Sequence, residues 1–267
     1  MPDLISSVSN LLQEAAQTYV MPVFGKREAN PKEKSSGEWV TDADRASEEF
    51  LEPALRSLIP GSLIVGEEAV SADPSVLDRL SSDGNVWLID PLDGTSNFAQ
   101  GRPPFALMVA LIRQGRTVAS WILDPIAKQL AISEKGSGSW INGEQVTVGE
   151  GSPELSDMRG AVLRRFLPKE LEEHVAAVEG HFRDLSVGSK CAGFDYPSIA
   201  NGSLDFALYW RTLPWDHAPG VLFLQEAGGH AIRPDGSEYL VADHLKSGLL
   251  VARNKETWSR VKSTLFV

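Results

Sequence analysis

The sequence predicts a mixed α+β / α/β fold built as one compact unit with two halves, and three observations carry that expectation. Short apolar runs separated by turn signals crowd the first half, and strand and helix patterns alternate in the second. Between them lies a stretch rich in Gly, Ser, Pro and acidic residues, 149–157. Residues 1–148 are therefore expected to hold a largely antiparallel sheet, and residues 149–267 a mixed or parallel sheet flanked by helices. A chain of 267 residues sits near the upper limit at which a single core divides.

Each element has its own signal. Leu4, Ile5, Val8, Leu11, Leu12, Ala15, Ala16 and Tyr19 recur at helical spacing and predict an amphipathic helix ending before Pro22 and Gly25. The polar stretch 26–37 reads as an exposed loop. Residues 41–58 predict a second helix, with Ala46, Phe50, Leu51, Ala54, Leu55 and Leu58 on its apolar face and Pro60-Gly61 as its stop. The runs 63–65 and 86–89 predict strands that lead directly into acidic residues. Further strands are expected at 105–113, 117–124 and 129–134, and Asn142-Gly143 signals a hairpin. Beyond the boundary, strands are expected at 160–163, 184–187, 206–210 and 248–252. The intervening helices are expected at 169–178, 194–201, 217–227 and 258–265.

Composition narrows the function. Hydrophobic residues at 42% and charged residues at 23% exclude a disordered or fibrous chain. With 36 acidic against 25 basic residues, the net charge of −11 opposes binding to nucleic acid or anionic membrane. An anionic substrate would face the same repulsion unless bound cations reversed the local field. Cys191 is the single cysteine, so no intrachain disulfide forms, and a reducing compartment fits. Neither a signal-peptide pattern nor an apolar run of about 20 residues is seen, so the expected location is the cytoplasm.

The most informative stretch is Trp87-Leu88-Ile89-Asp90-Pro91-Leu92-Asp93-Gly94-Thr95-Ser96-Asn97-Phe98. An apolar strand ends at Asp90, and a turn through Pro91 and Gly94 brings Asp93 close. Two carboxylates at a strand end, with the Leu92 carbonyl between them, offer the oxygen donors that Mg²⁺ takes. If Thr95 opens a helical turn, the Gly94 and Thr95 N–H groups form an anion cradle. An ordinary Asp-Pro-x-Asp-Gly surface turn is the simpler account of the Asp-x-x-Asp element alone.

Three other constellations are ambiguous singly. Gly66-Glu67-Glu68 follows a strand and would also suit a solvated charge pair. Asp216, in Trp215-Asp216-His217-Ala218-Pro219-Gly220, sits where a helix N-cap belongs. In Val40-Thr41-Asp42-Ala43-Asp44, either Asp42 or Asp44 would serve as a cap for the helix that follows. The five histidines show no zinc-ligand spacing. Gly136-Ser137-Gly138-Ser139 is neither a P-loop nor a nucleophile elbow and reads as a hairpin turn. Cys191 lies among small and apolar residues and is expected to be buried.

Taken in order, Val-Thr-x-x-Asp, Gly-Glu-Glu, Trp-x-Ile-Asp-Pro-x-Asp-Gly-Thr-x-Asn-Phe and Trp-Asp-x-Ala-x-Gly closely resemble the inositol monophosphatase family. The segments Lys34-Ser35-Ser36, 136–143 and Glu226-Ala227-Gly228-Gly229 match too, so the resemblance covers nearly the whole chain. It implies a layered αβαβα sandwich, a homodimer and, in many members, inhibition by lithium. It further implies that Glu67, Asp90, Asp93, Asp216 and the Leu92 carbonyl hold two or three Mg²⁺ ions. Thr95 and Asp44 would orient and deprotonate the attacking water, Glu68 would lie near one metal, and Gly94 and Thr95 would take phosphate oxygens. The implied reaction is hydrolysis of a small phosphate monoester, such as inositol 1-phosphate, by metal-activated water.

The substrate signal differs from the inositol pattern. Where inositol-preferring relatives place an acidic residue seven positions before the metal-binding Asp, this chain has Tyr209, and Lys190 stands where a small residue is expected. Ser189, Lys190, Tyr209 and Arg211 are the candidate substrate contacts. Cations at Lys190 and Arg211 would suit a doubly anionic substrate, such as 3′-phosphoadenosine 5′-phosphate or fructose 1,6-bisphosphate, with histidinol phosphate a further alternative. Pairing of the two cations with Asp195 or Asp205 is the structural alternative. Arg164-Arg165 would add further cations, across a dimer interface. Some bacterial relatives act as partners of transcription or ribosome machinery, which makes a non-enzymatic binding role the competing class.

Overall fold

The computed structural model describes residues 2–26, 29–34 and 39–266. Ser35 and Ser36 of the Lys34-Ser35-Ser36 segment lie outside the described residues. The first half runs α1 (Pro2–Ala15), β1 (Lys32–Glu33), β2 (Trp39–Val40), α2 (Asp42–Leu58), β3 (Leu63–Gly66), α3 (Glu67–Ala72), β4 (Asn85–Asp93) and α4 (Thr95–Ala99). It continues through β5 (Ala106–Arg113), β6 (Arg116–Asp124), β7 (Gln129–Glu134), β8 (Gly138–Ile141) and β9 (Glu144–Val146). The second half holds β10 (Arg159–Val162), α5 (Lys169–Val178), β11 (Asp184–Ser186), α6 (Ala192–Ala200) and β12 (Phe206–Tyr209). Then follow α7 (Pro214–Glu226), β13 (His230–Ile232), β14 (Leu249–Ala252) and α8 (Lys255–Leu265).

Strands β3 to β9 form a seven-stranded sheet in sequence order. Only its β3–β4 pair is parallel. The second sheet has five strands in the order β11-β10-β12-β14-β13. Its β11-β10-β12 part is parallel and the remainder antiparallel.

Alternation along the strands shows how the layers stack. Trp87, Ile89, Leu107, Val109 and Leu111 pack with Val8, Leu12, Leu51 and Leu55 of α1 and α2. Their neighbours Val86, Leu88, Ala110 and Ile112 face the opposite way, onto Tyr196, Ile199, Ala218 and Leu224 of α6 and α7. The same helices cover Ala161, Ala207, Leu249 and Val251 of the smaller sheet. The far face of that sheet, including Phe206, Leu208 and Leu250, packs on Val175, Trp258 and Val261 of α5 and α8. The order is thus αβαβα. Because both faces of β4 and β5 are covered, their apolar residues run without alternation. For the same reason α7 is buried nearly all round, whereas α1 and α2 are amphipathic.

The structure corrects several boundaries. The 26–37 region is not simply a loop: Lys32–Glu33 pairs antiparallel with Trp39–Val40, a two-residue ladder too short to leave a periodic signal. The N-cap of α2 is Thr41, and Asp44 closes a capping box at N3, so neither Asp42 nor Asp44 is the cap. Helix α7 begins at Pro214, which puts Asp216 in its first turn and Leu213 at the cap position. Strand β13 was not among the expected strands. Arg164 and Arg165 lie in a short 3₁₀ turn after β10. Among the described residues no helix is long and apolar enough to cross a membrane.

The two central helices touch closely where Gly220 of α7 meets the Tyr196 ring of α6, leaving no space for a Cβ. In an open helix, Ala in place of Gly gains about 1 kcal/mol, whereas overpacking a core costs about 1–3 kcal/mol. Gly220→Ala is therefore expected to lower the denaturation midpoint in urea; a raised midpoint would show that the contact yields freely.

Candidate active site

A cleft of about 320 Å³ opens between the two sheets, at the carboxyl ends of β3 and β4 on one side and of β10, β11 and β12 on the other. Glu67, Asp90, Leu92, Asp93, Gly94, Thr95, Lys190, Tyr209, Arg211 and Asp216 all line it. In a regular strand, residues three apart face opposite ways. The register between β4 and β5 shifts between Asp90 and Asp93, and this irregularity lets both carboxylates enter the cleft. Asp90 Oδ1 accepts from the Leu92 N–H at 3.0 Å, which holds the turn.

Glu67 opens α3, and its placement depends on Glu48, a residue the sequence reading missed. The Glu48 carboxylate accepts from the Glu68 N–H at 2.9 Å and the Ala69 N–H at 2.8 Å, capping α3 from a neighbouring helix. A Cβ at Gly66 would collide with that carboxylate. Lys34 reaches in from beside β1 and donates to Glu67 at 3.0 Å and Glu68 at 2.6 Å. Burial opposes the charge on Lys34, but the two carboxylates outweigh it and hold the ammonium above its usual pKa.

The turn after β4 is equally constrained. Gly94 has φ of 85°, and a Cβ there would meet the Pro104 carbonyl and Cys191. Asp93 accepts from the Gly193 N–H at 2.6 Å. Asn97 donates to the Pro104 carbonyl and, across to the other half, to the Ser189 carbonyl, both at 2.9 Å. The Thr95 hydroxyl lies 2.8 Å from the Leu92 carbonyl and 3.1 Å from Asp44 Oδ1. Asp44 is fully buried behind Thr95 rather than on the cleft wall, and its other oxygen accepts from the Thr41 N–H and hydroxyl.

Burial raises the acids of the cleft. It lifts Asp44 to about 7, against the pull of its Thr41 and Thr95 hydrogen bonds. Asp93 is lifted to about 6, with the Gly193 N–H opposing. Burial also pushes Glu67 and Asp90 up, against the pull of Lys34 at Glu67 and with neighbouring acids that include Asp216 adding to the rise. Cys191 is buried, and burial with the nearby Asp93 raises its thiol, which disfavours the thiolate.

On the substrate side, the Tyr209 hydroxyl donates to Asp195 at 3.0 Å. An acid thus stands beside the position where the sequence lacks one. Asp205 is held by the Arg159 N–H and by Arg253. The Ser189 hydroxyl turns back to the Cys191 carbonyl at 2.9 Å and is not on the cleft wall. Arg164 pairs with Glu179, while Arg165 and Phe166 line the cleft of this same chain. Phe166 and His217 are cleft residues that carried no sequence signal, because they reach the site only through strand pairing and helix packing.

The donors offered by Glu67, Asp90, Leu92, Asp93 and Asp216 are all oxygen, and their charges repel one another. That chemistry fits a hard divalent cation. Among the described residues no three acidic, His or Cys side chains already form a closed ion cage.

Residues 2–264 match the inositol monophosphatase family. An inositol-1-monophosphatase of Mesorhizobium japonicum is 34% identical over 83% of this chain and 80% of its own length. The Nus factor SuhB of Pseudomonas aeruginosa is 31% identical over 87% and 84%. The Thermotoga maritima IMPase structure superposes with a TM-score of 0.84 at 25% identity, covering 99% of this chain and 97% of that one. The chain belongs to the inositol monophosphatase family.

The raised acids dictate a pH response. Unfolded carboxylates titrate near 4, so between about pH 4 and 7 the folded, metal-free chain binds more protons than the unfolded chain. Its stability is then expected to rise as pH falls from about 8 to 5. A divalent cation should raise the melting temperature more at about pH 8 than at pH 5.5. Calorimetry of the metal-free protein would contradict this assignment if its melting temperature climbed with pH across that interval.

Proposed function

We propose that this chain hydrolyses a small phosphate monoester, of the size of inositol 1-phosphate, in a reaction that depends on Mg²⁺. The convergence of Glu67, Asp90, Asp93, Asp216 and the Leu92 carbonyl beside the Thr95–Asp44 hydrogen bond carries this reading. These five residues would hold two or three Mg²⁺ ions, which neutralise the phosphate dianion and lower the pKa of water. Thr95 orients the attacking water and passes its proton back to Asp44 through the hydroxyl that donates to Oδ1; a carboxyl raised to about 7 suits a base near neutral pH. A new P–O bond forms from water as the ester P–O bond breaks. Orthophosphate departs, and the alkoxide is protonated by solvent. The N–H groups of Gly94 and Thr95 receive phosphate oxygens, with Gly94 also reaching the Asp93 carboxylate. Glu68 keeps Lys34 in place beside Glu67.

The SuhB relatives raise a binding role, yet the net charge of −11 opposes contact with RNA. A binding role alone would also leave the buried acids without a purpose. The phosphatase reading accounts for both.

Asp90→Asn or Asp93→Asn should abolish turnover and weaken Mg²⁺ binding measured by calorimetry. Near-normal turnover at limiting Mg²⁺ would refute the ligand assignment. Thr95→Ala should lower kcat by ~10²–10⁴-fold with little change in KM, as expected for a group that acts in the transition state. An unchanged kcat under conditions where chemistry limits the rate would remove Thr95 and Asp44 from the mechanism.

A further inference from the structure

Helix α3 has little of its own to fix it. It spans six residues, of which Val70 is the buried one. Its cap position is Gly66, which has no side chain to accept from the first N–H groups. Glu48 fills that role from α2, through its bonds to the Glu68 N–H at 2.9 Å and the Ala69 N–H at 2.8 Å. Two adjacent N–H groups need two acceptor oxygens, which a carboxylate offers and a side-chain amide does not. Gly66 has φ of −109°, a backbone conformation open to any residue, so glycine is needed here for space. That space is taken by the Glu48 carboxylate, whose carbon and both oxygens a Cβ at Gly66 would overlap. The glycine of Gly-Glu-Glu and Glu48 are thus a fitted pair.

The helix that supplies Glu48 also supplies Asp44. The two acids are one turn apart, about 6 Å along the axis, and share the buried face of α2 with Ser47, Leu51 and Leu55. Asp44 accepts from the Thr95 hydroxyl at 3.1 Å on one oxygen and from Thr41 on the other. Leu51 and Leu55 pack with Trp87 and Ile89 of β4, the strand that carries Asp90 and Asp93. One rigid helix face therefore registers three elements of the cleft: α3, the start of α4, and β4.

We propose that Glu48 is a positioning residue of the reaction: it ties the start of α3 to the helix face that carries Asp44, and so sets Glu67 against the Thr95–Asp44 pair. The inference rests on the reading above, in which Glu67 takes a cation and Asp44 a proton. Without the tie, Lys34 still reaches Glu67 at 3.0 Å. The cation ligand and the proton acceptor, however, lose their common frame.

The test is calorimetric Mg²⁺ binding to the metal-free protein, with turnover of inositol 1-phosphate at saturating Mg²⁺ as the second readout. The wild type is compared with Glu48→Gln, Glu48→Ala, Gly66→Ala and the double variant of the last two. Leu55→Ala, buried farther along α2, is the control for a helix that is merely less stable. Glu48→Gln keeps the shape of the side chain and should raise the Mg²⁺ Kd roughly tenfold, the size of losing an outer partner of a metal site. It should also lower kcat with little change in KM. Gly66→Ala should raise Kd likewise, by driving the carboxylate off α3, yet add nothing once Glu48→Ala has cleared the space. That non-additivity separates positioning from a general loss of stability. Leu55→Ala should lower the melting temperature and leave Kd unchanged. Should Glu48→Ala fold poorly, Glu48→Gln and Gly66→Ala still decide. A folded Glu48→Gln with the wild-type Kd or the wild-type kcat overturns the proposal. Additive losses in the double variant, or an equal rise of Kd in Leu55→Ala, overturn it too. If the wild type binds Mg²⁺ but leaves inositol 1-phosphate intact, the substrate reading falls separately and Kd alone decides. Absence of Mg²⁺ binding by the wild type overturns the cation reading, and the proposal with it.

Discussion

Glu67, Asp90, Asp93 and Asp216 repel one another around one cleft, and the architecture around them answers that repulsion. Two unit charges about 4 Å apart at an effective dielectric of 20 interact by about 4 kcal/mol. A few such terms rival the roughly 5–15 kcal/mol that keeps a domain folded. The cluster therefore persists only where protons, cations or donors offset it. Lys34 supplies a cation to Glu67, and the Gly193 N–H supplies a donor to Asp93. Glu48 adds a further acid, yet it is spent on the first N–H groups of α3 and so positions Glu67 without joining the cluster.

The same constraint explains why the acids come from several elements. Burying them at the ends of two strands and in the first turn of α7 lets rigid secondary structure absorb the repulsion that a flexible loop would relieve by moving apart. Asn97 reinforces the junction by bonding to carbonyls on both sides of it. Thr95 and Asp44 sit behind the cluster, fixed in turn by the capping box of α2. The capping box that starts α2 and the proposed proton acceptor thus share one carboxylate, Asp44.

Much of this was legible in the sequence because the acidic motifs are continuous. The run from Trp87 to Phe98 contains its strand, turn and helix start in order, so its placement needed no long-range information. The α7 start was misplaced for a local reason: the helix is apolar on all sides, so periodicity does not mark its first residue, although Pro214 at N1 does. Glu48 was hidden because its partner, the start of α3, lies 20 residues away. Lys190, Arg211 and the Arg164-Arg165 pair could be named from the sequence, whereas Phe166 and the place of Arg165 in the cleft of the same chain follow only once β10 and β12 pair. Tyr209 was read as the absence of an acid, yet Asp195 stands 3.0 Å from its hydroxyl.

The five-layer stacking sets Asp90 and Asp93 on the larger sheet and Arg165, Lys190 and Arg211 after strands of the smaller one, while Asp216 comes from α7, which both sheets share. Replacement of the short segments that follow β10, β11 and β12 alters one wall of the cleft without touching the strands that carry Asp90 and Asp93. The segment after β11 nevertheless bears the Ser189 carbonyl that anchors Asn97 and leads to the Gly193 N–H that holds Asp93, so a change there reaches the acidic side as well.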